Sequence, residues 1–248
     1  MRGFDYTAGT GFDGQMPKRS SDSRFALICN TDEAHSMANA LGWHERTLRE
    51  CENLDESVRH LSLSGYDFVS LVYAEPDEGA VAQSEINLFY SRDYLALIVP
   101  TKPGRKLLGL IKSIEGQFED ARSRKNPLSY LYFCILDSFA ADYSETLERL
   151  EDEMEDLSEA IERRHQKNQS AEISRLRKSA YTYKKLLRAL SYIGTQILVD
   201  ENDLLGRDQV RYFRNIDTRL IKLYDFAENL YDLSSELLHS YDSKSAAR

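Results

Sequence analysis

The sequence predicts an α+β fold in two parts: an N-terminal α/β domain over residues 1–125, then a long helical region over residues 126–248. Two observations predict it. All five prolines, Pro17, Pro76, Pro100, Pro103 and Pro127, lie at or before Pro127, and only two of the twelve glycines, Gly194 and Gly206, follow it. Proline and glycine punctuate turns and interrupt helices, so this asymmetry marks a change of architecture. The second observation is periodicity. Before Pro127 apolar residues cluster in short runs bounded by turn residues. After it they recur every three or four positions.

Residues 7–22 are polar and rich in glycine and serine, and read as a loop or disordered segment. Phe25–Cys29 reads as a short buried strand. Thr31 is expected to cap a helix with Asp32 and Glu33 in its first turn, ending near Leu41 and Gly42. A second helix is expected from Glu45 to Cys51, and a short one from Asp55 to His60. Strands follow at Tyr66–Tyr73, Glu85–Tyr90 and Tyr94–Val99, with the last two close enough for a hairpin through Ser91, Arg92 and Asp93. Residues 104–124 read as a connecting helix.

Three amphipathic helices fill the second part. The first apolar stripe runs Leu136, Phe139, Tyr143, Leu147, Leu150, Met154, Leu157, Ile161, and the second Ile173, Leu176, Ala180, Tyr183, Leu187, Leu190, Gly194, Ile197. The third runs Phe213, Ile216, Leu220, Leu223, Ala227, Leu230, Ser234, Leu237, Tyr241. This unbroken three–four alternation suits a coiled coil or bundle, and predicts a seam that packs against copies of itself. The first two helices form a predicted hairpin over about 127–199, and the third a stalk over about 204–246. Charge supports the hairpin: residues 145–162 are dominated by acids and residues 163–188 by bases. An antiparallel pairing would bring the two arms together.

Composition narrows the function. A formal charge of −9 argues against nucleic acid as the main partner. Cys29, Cys51 and Cys134 are an odd, widely spaced set without metal-type spacing, and fit a reducing compartment. No run of about 18 apolar residues exists, and Met1 is followed by a polar stretch rather than a signal-peptide core. None of the five histidines, His35, His44, His60, His165 and His239, pairs at the spacing of a zinc helix. No phosphate-cradling glycine loop or nucleophile elbow is present, so the chain is not expected to be an enzyme. The basic run around Arg175 and Lys178, with Tyr181 and Tyr183, reads as hairpin pairing rather than as an RNA surface. The acidic stretch Glu151–Asp156 reads as a solvated helix face. Asp137, beside the first apolar stripe, must be at the edge, paired, or a metal ligand.

Two segments carry a family resemblance. Pro127 to Tyr143, with Asp137, Asp142 and Tyr143 followed by the acidic stretch to Met154, resembles a helix of the CorA-type divalent-cation transporters. Tyr212-Phe-Arg-Asn215, continuing to Leu237-Leu-His-Ser-Tyr241, is similar to that family's pore-lining stalk. The stretch from Gly42, Trp43 and His44 to Tyr73 matches a further segment. The resemblance implies a soluble-domain fold of this family and a homopentamer whose stalks surround an ion path. It also implies transport of Mg2+, or of Co2+, Ni2+ or Zn2+, at the cytoplasmic face of a membrane. In the family two membrane helices with a Gly-Met-Asn signature follow the stalk. This chain stops at Arg248, before either, and is expected to be a soluble fragment of such a transporter. The alternative is a stand-alone helical oligomerisation module with no ion path.

The resemblance further implies a regulatory divalent cation, Mg2+ first, between neighbouring subunits. Matching Gly42, Trp43 and His44 to the family's segment puts Arg49 and Glu50 where the family can have two acids, Asp137 keeps the helix acid, and Asn215 replaces the stalk acid. These changes weaken attraction for a hard dication. Glu50, Asp137 and Asn215 are therefore the expected metal residues. His239 replaces a pore-side aspartate at the end of the stalk, where a ring of imidazoles would respond to pH.

Overall fold

The computed structural model describes residues 1–18, 22–52, 57–77, 80–164, 166 and 168–246. Seven strands, β1 (Arg2–Asp5), β2 (Thr10–Asp13), β3 (Phe25–Asn30), β4 (Arg59–Leu63), β5 (Tyr66–Asp77), β6 (Ala80–Ser91) and β7 (Tyr94–Val99), form one sheet in the order β2-β1-β3-β7-β6-β5-β4. All neighbours are antiparallel except β3 and β7, which run parallel. The helices are α1 (Thr31–Leu41), α2 (Glu45–Glu52), α3 (Arg105–Ala121), α4 (Pro127–Arg163), α5 (Gln169–Val199) and α6 (Val210–Ala246).

The central strands are continuous apolar runs because both faces of the sheet are covered. Alternation along β3 shows it: Phe25, Leu27 and Cys29 join the core under α1 and α2, whereas Ala26 and Ile28 join the larger core shared with α3–α6. On the first face the Trp43 ring stacks on Phe89 with centroids 3.6 Å apart, and its Nε1 donates to Tyr94 Oη at 3.0 Å. On the second, Tyr73 Oη donates to Asp142 at 2.9 Å and Tyr143 Oη donates to the Val72 carbonyl, fastening α4 to β5. Burial pushes both phenols above their usual range, so both stay protonated donors. All three cysteines are buried, and none forms a disulfide.

Four sequence expectations change. Residues 10–13 are not loop but strand β2, which pairs with β1. Neither strand is apolar enough to be read locally, and β1 is held by its register with β3. The cap of α1 is Asn30, not Thr31. Its side chain accepts from the Glu33 N–H while Glu33 accepts from the Asn30 N–H, a reciprocal capping box. The expected helix over Asp55–His60 fails at its end, because Arg59 and His60 belong to edge strand β4. Residues 53–56 lie outside those described.

The fourth change concerns the long helices. The stalk seam from Phe213 to Tyr241 is buried throughout, and it faces α4 and α5 of its own chain rather than a copy. α5 lies chiefly along α6, which also packs on α4. A Cβ at Gly194 would sit 3.0 Å from the Asp217 Cα, so this glycine lets α5 and α6 approach closely. The acidic and basic arms are neighbours, yet Arg175–Glu153, at 2.6 Å, is the ion pair joining them among the described residues. Most of their charges form exposed stripes instead. On α4, Glu145, Glu148, Asp152, Glu155, Glu159 and Glu162 all face solvent. Apolar burial sets the helix packing, and surface ion pairs contribute only about 0–1 kcal/mol each.

Candidate functional site

Glu50 closes the last turn of α2, where its carboxylate meets the Arg59 guanidinium of β4. It borders a shallow hollow of about 350 Å³ with His44, Glu45, Arg46 and Arg49. Arg49 itself reaches back one turn to Glu45 at 2.5 Å. Three arginines therefore surround two carboxylates here, and the local charge does not favour a cation.

Asp137 stands at the edge of the α4 stripe, about half exposed, and Arg219 of α6 donates to its Oδ1 at 2.6 Å. Asn215 is exposed one turn before Arg219 on α6. The fold thus brings Asp137 to the same stretch of α6 as Asn215, but the group touching the carboxylate is an arginine that sequence reasoning missed. Its one available signal was the i, i+4 spacing from Asn215. The same holds for Arg59, whose partner lies on another element.

A dication requires several oxygen ligands, usually including more than one carboxylate. Among the described residues, no three His, Cys, Asp or Glu side chains converge. Each carboxylate of the expected set already faces a guanidinium, so within one chain these residues do not fit a divalent ion.

The far face of α6 is more regular. Asn215, Thr218, Lys222, Asp225, Asn229, Asp232, Glu236, His239 and Ser243 recur at alternating steps of three and four, and every one is exposed. This polar stripe lies opposite the buried seam and holds both Asn215 and His239. From Asn215 to His239 it spans about 36 Å at the helical rise. Its exposed acids, Asp225, Asp232 and Glu236, present carboxylates from the middle of the helix towards its C-terminal end. Among the described residues, no helix is long and apolar enough to cross a membrane.

Comparison with known proteins follows this architecture closely. The cobalt/magnesium transport protein CorA of Thermotoga maritima is 22% identical over 238 residues, covering 94% of this chain and 67% of that protein. The soluble domain of CorA from Methanocaldococcus jannaschii superposes with a TM-score of 0.75 at 16% identity, covering 93% of each chain. The ZntB cytoplasmic domain from Vibrio parahaemolyticus superposes with a TM-score of 0.80 at 11% identity, over 100% of this chain and 98% of that one. At such identities the superpositions show the fold alone. The family model described as CorA-like Mg2+ transporter protein matches residues 28–248, nearly the whole length, and the chain belongs to that family.

Proposed function

We propose that this chain is the cytoplasmic regulatory part of a pentameric divalent-cation transporter, with α6 as the stalk that borders the ion path. The observation that carries this reading is the polar stripe of α6. A helix whose apolar seam is consumed within its own chain, yet which keeps an unbroken polar heptad on the opposite face, is built to face water along its length. In a ring of five stalks that face lines the axis, and Asp225, Asp232 and Glu236 attract a hydrated dication without stripping it. Mg2+ is the first candidate as cargo, with Co2+, Ni2+ and Zn2+ as alternatives. His239 sits near the membrane-proximal end of the stripe.

Regulation by a cation between subunits uses Glu50, Asp137 and Asn215 only if the arginine pairs open. Mg2+ competes with Arg219 for Asp137 and with Arg59 for Glu50, and a neighbouring chain completes the ligand set. Binding is therefore weak. Sedimentation velocity at rising Mg2+ tests the reading. The expected result is a species of five chains that forms with Mg2+, and Arg219→Met shifts its onset to lower Mg2+ by freeing Asp137. A dimer indifferent to Mg2+ in both proteins sinks the proposal and favours a helical interaction module.

A further inference from the structure

A second charged feature neighbours the Glu50 hollow and shares Arg59 with that site. Edge strand β4 and helix α5 border an open cleft of about 680 Å³, within the usual size range for small-ligand pockets. Arg59, His60, Lys185 and Arg188 line it, and among the described residues no carboxylate does. This concentration of positive charge stands out on a chain of net charge −9. Arg59 answers Glu50, but among the described residues no ion pair engages Lys185 or Arg188. Glu228, the acid whose charge responds to Arg188, is committed to Lys184 at 2.9 Å.

The remaining walls have a different character. Tyr192 lies on the exposed stripe of α5 one turn beyond Arg188, is 72% exposed, and stands beside the apolar Ile193 and Val58. An aromatic ring held open to solvent next to a cationic cluster offers a stacking face that the core does not use. At the cleft's inner edge the His60 side chain is 7% exposed, and its Nε2 has no hydrogen-bond partner, with Asp67 Oδ2 3.6 Å away.

We infer that this cleft binds a small phosphate-bearing anion with a planar body, of the nucleoside phosphate class. The forked guanidinium of Arg188 and the ammonium of Lys185 take the phosphate oxygens. Tyr192 and its apolar neighbours take the base. The inference goes beyond the transport reading and stands whether or not that reading holds.

Calorimetric titration of the 248-residue chain with metal-free ADP, adenosine and inorganic pyrophosphate tests it. ADP is expected to bind most tightly of the three. The double variant Lys185→Glu, Arg188→Glu is expected to weaken ADP by at least about tenfold. Tyr192→Ala is expected to weaken ADP and leave pyrophosphate unchanged. Lys178→Glu, a charge reversal on α5 outside the cleft, is expected to change neither. A thermal melt confirms that each variant is folded, and should the double variant fail, the Tyr192→Ala contrast between the two probes decides alone. No binding of ADP by the parent chain at about 5 mM overturns the inference. So does an equal loss in Lys178→Glu, which would mark diffuse charge attraction. A double variant that loses self-association while keeping ADP binding also overturns it, since the cleft would then seat carboxylates of another copy.

Discussion

Glu33 accepts from the Met1 ammonium at 2.7 Å and from the Asn30 N–H at 3.0 Å. Burial alone would raise its pKa, but the two donors and the nearby positive charge outweigh it and hold the carboxyl below its ordinary value. The unfolded chain therefore takes up a proton here at higher pH than the folded one does. The stability this group contributes is present above the unfolded carboxylate range and is lost as pH falls through the depressed folded value. Glu33→Gln should lower stability by about 1 kcal/mol at neutral pH, as for loss of a helix cap, and should flatten the acid limb of the stability profile. Chemical denaturation across pH 3–7, roughly the carboxylate range, checks both. From the sequence the cap falls at Thr31, one residue beyond Asn30. Only the extended backbone of Asn30 decides between them. At the candidate site the limit is sharper. Asp137 declared itself as a carboxylate beside an apolar stripe, whereas Arg219 reaches it across 82 residues of chain, through a contact that exists only once α4 and α6 are packed.

Among the elements, the helices were the most legible because their apolar stripes persist over many turns, and the central strands because both their faces are buried. β1 and β2 were not, since residues such as Gly3, Gly11 and Thr10 carry no strand pattern and gain their place from β3. The charge arms misled for a physical reason. Long exposed acids and bases gain little from pairing in water, so their sign pattern did not choose the packing partner of α5. What chose it is fit, and Gly194 is the tightest point. A leucine there must displace the Asp217 backbone, so Gly194→Leu should cost about 1–3 kcal/mol. Gly194→Ala should cost less, because its better helix propensity, worth about 1 kcal/mol, offsets part of the clash. Urea midpoints of the two variants should rank in that order. Equal midpoints would mean that α5 and α6 part easily.

For the molecule as a whole, the larger core runs without a break from the sheet through α3 and α4 to the far end of α6, where Tyr241 is still buried. The segment between α5 and α6 is also tied down. Asn202 donates to Asp67 at 2.6 Å and Tyr90 Oη donates to the Leu204 carbonyl at 3.2 Å, joining that turn to β5 and β6. Because the α6 seam is spent within the chain, the stalk cannot turn about its own axis without exposing nine seam positions. Any movement of its polar face must then be a swing of the three helices as one lever. Such a lever should show a single opening free energy. Amide hydrogen exchange in the middle of α6 should be as slow as in α4 and α5, and all three should quicken together with denaturant. Early exchange confined to α6 would instead reveal a rod able to rotate alone, free of the sheet that anchors α4 and α5.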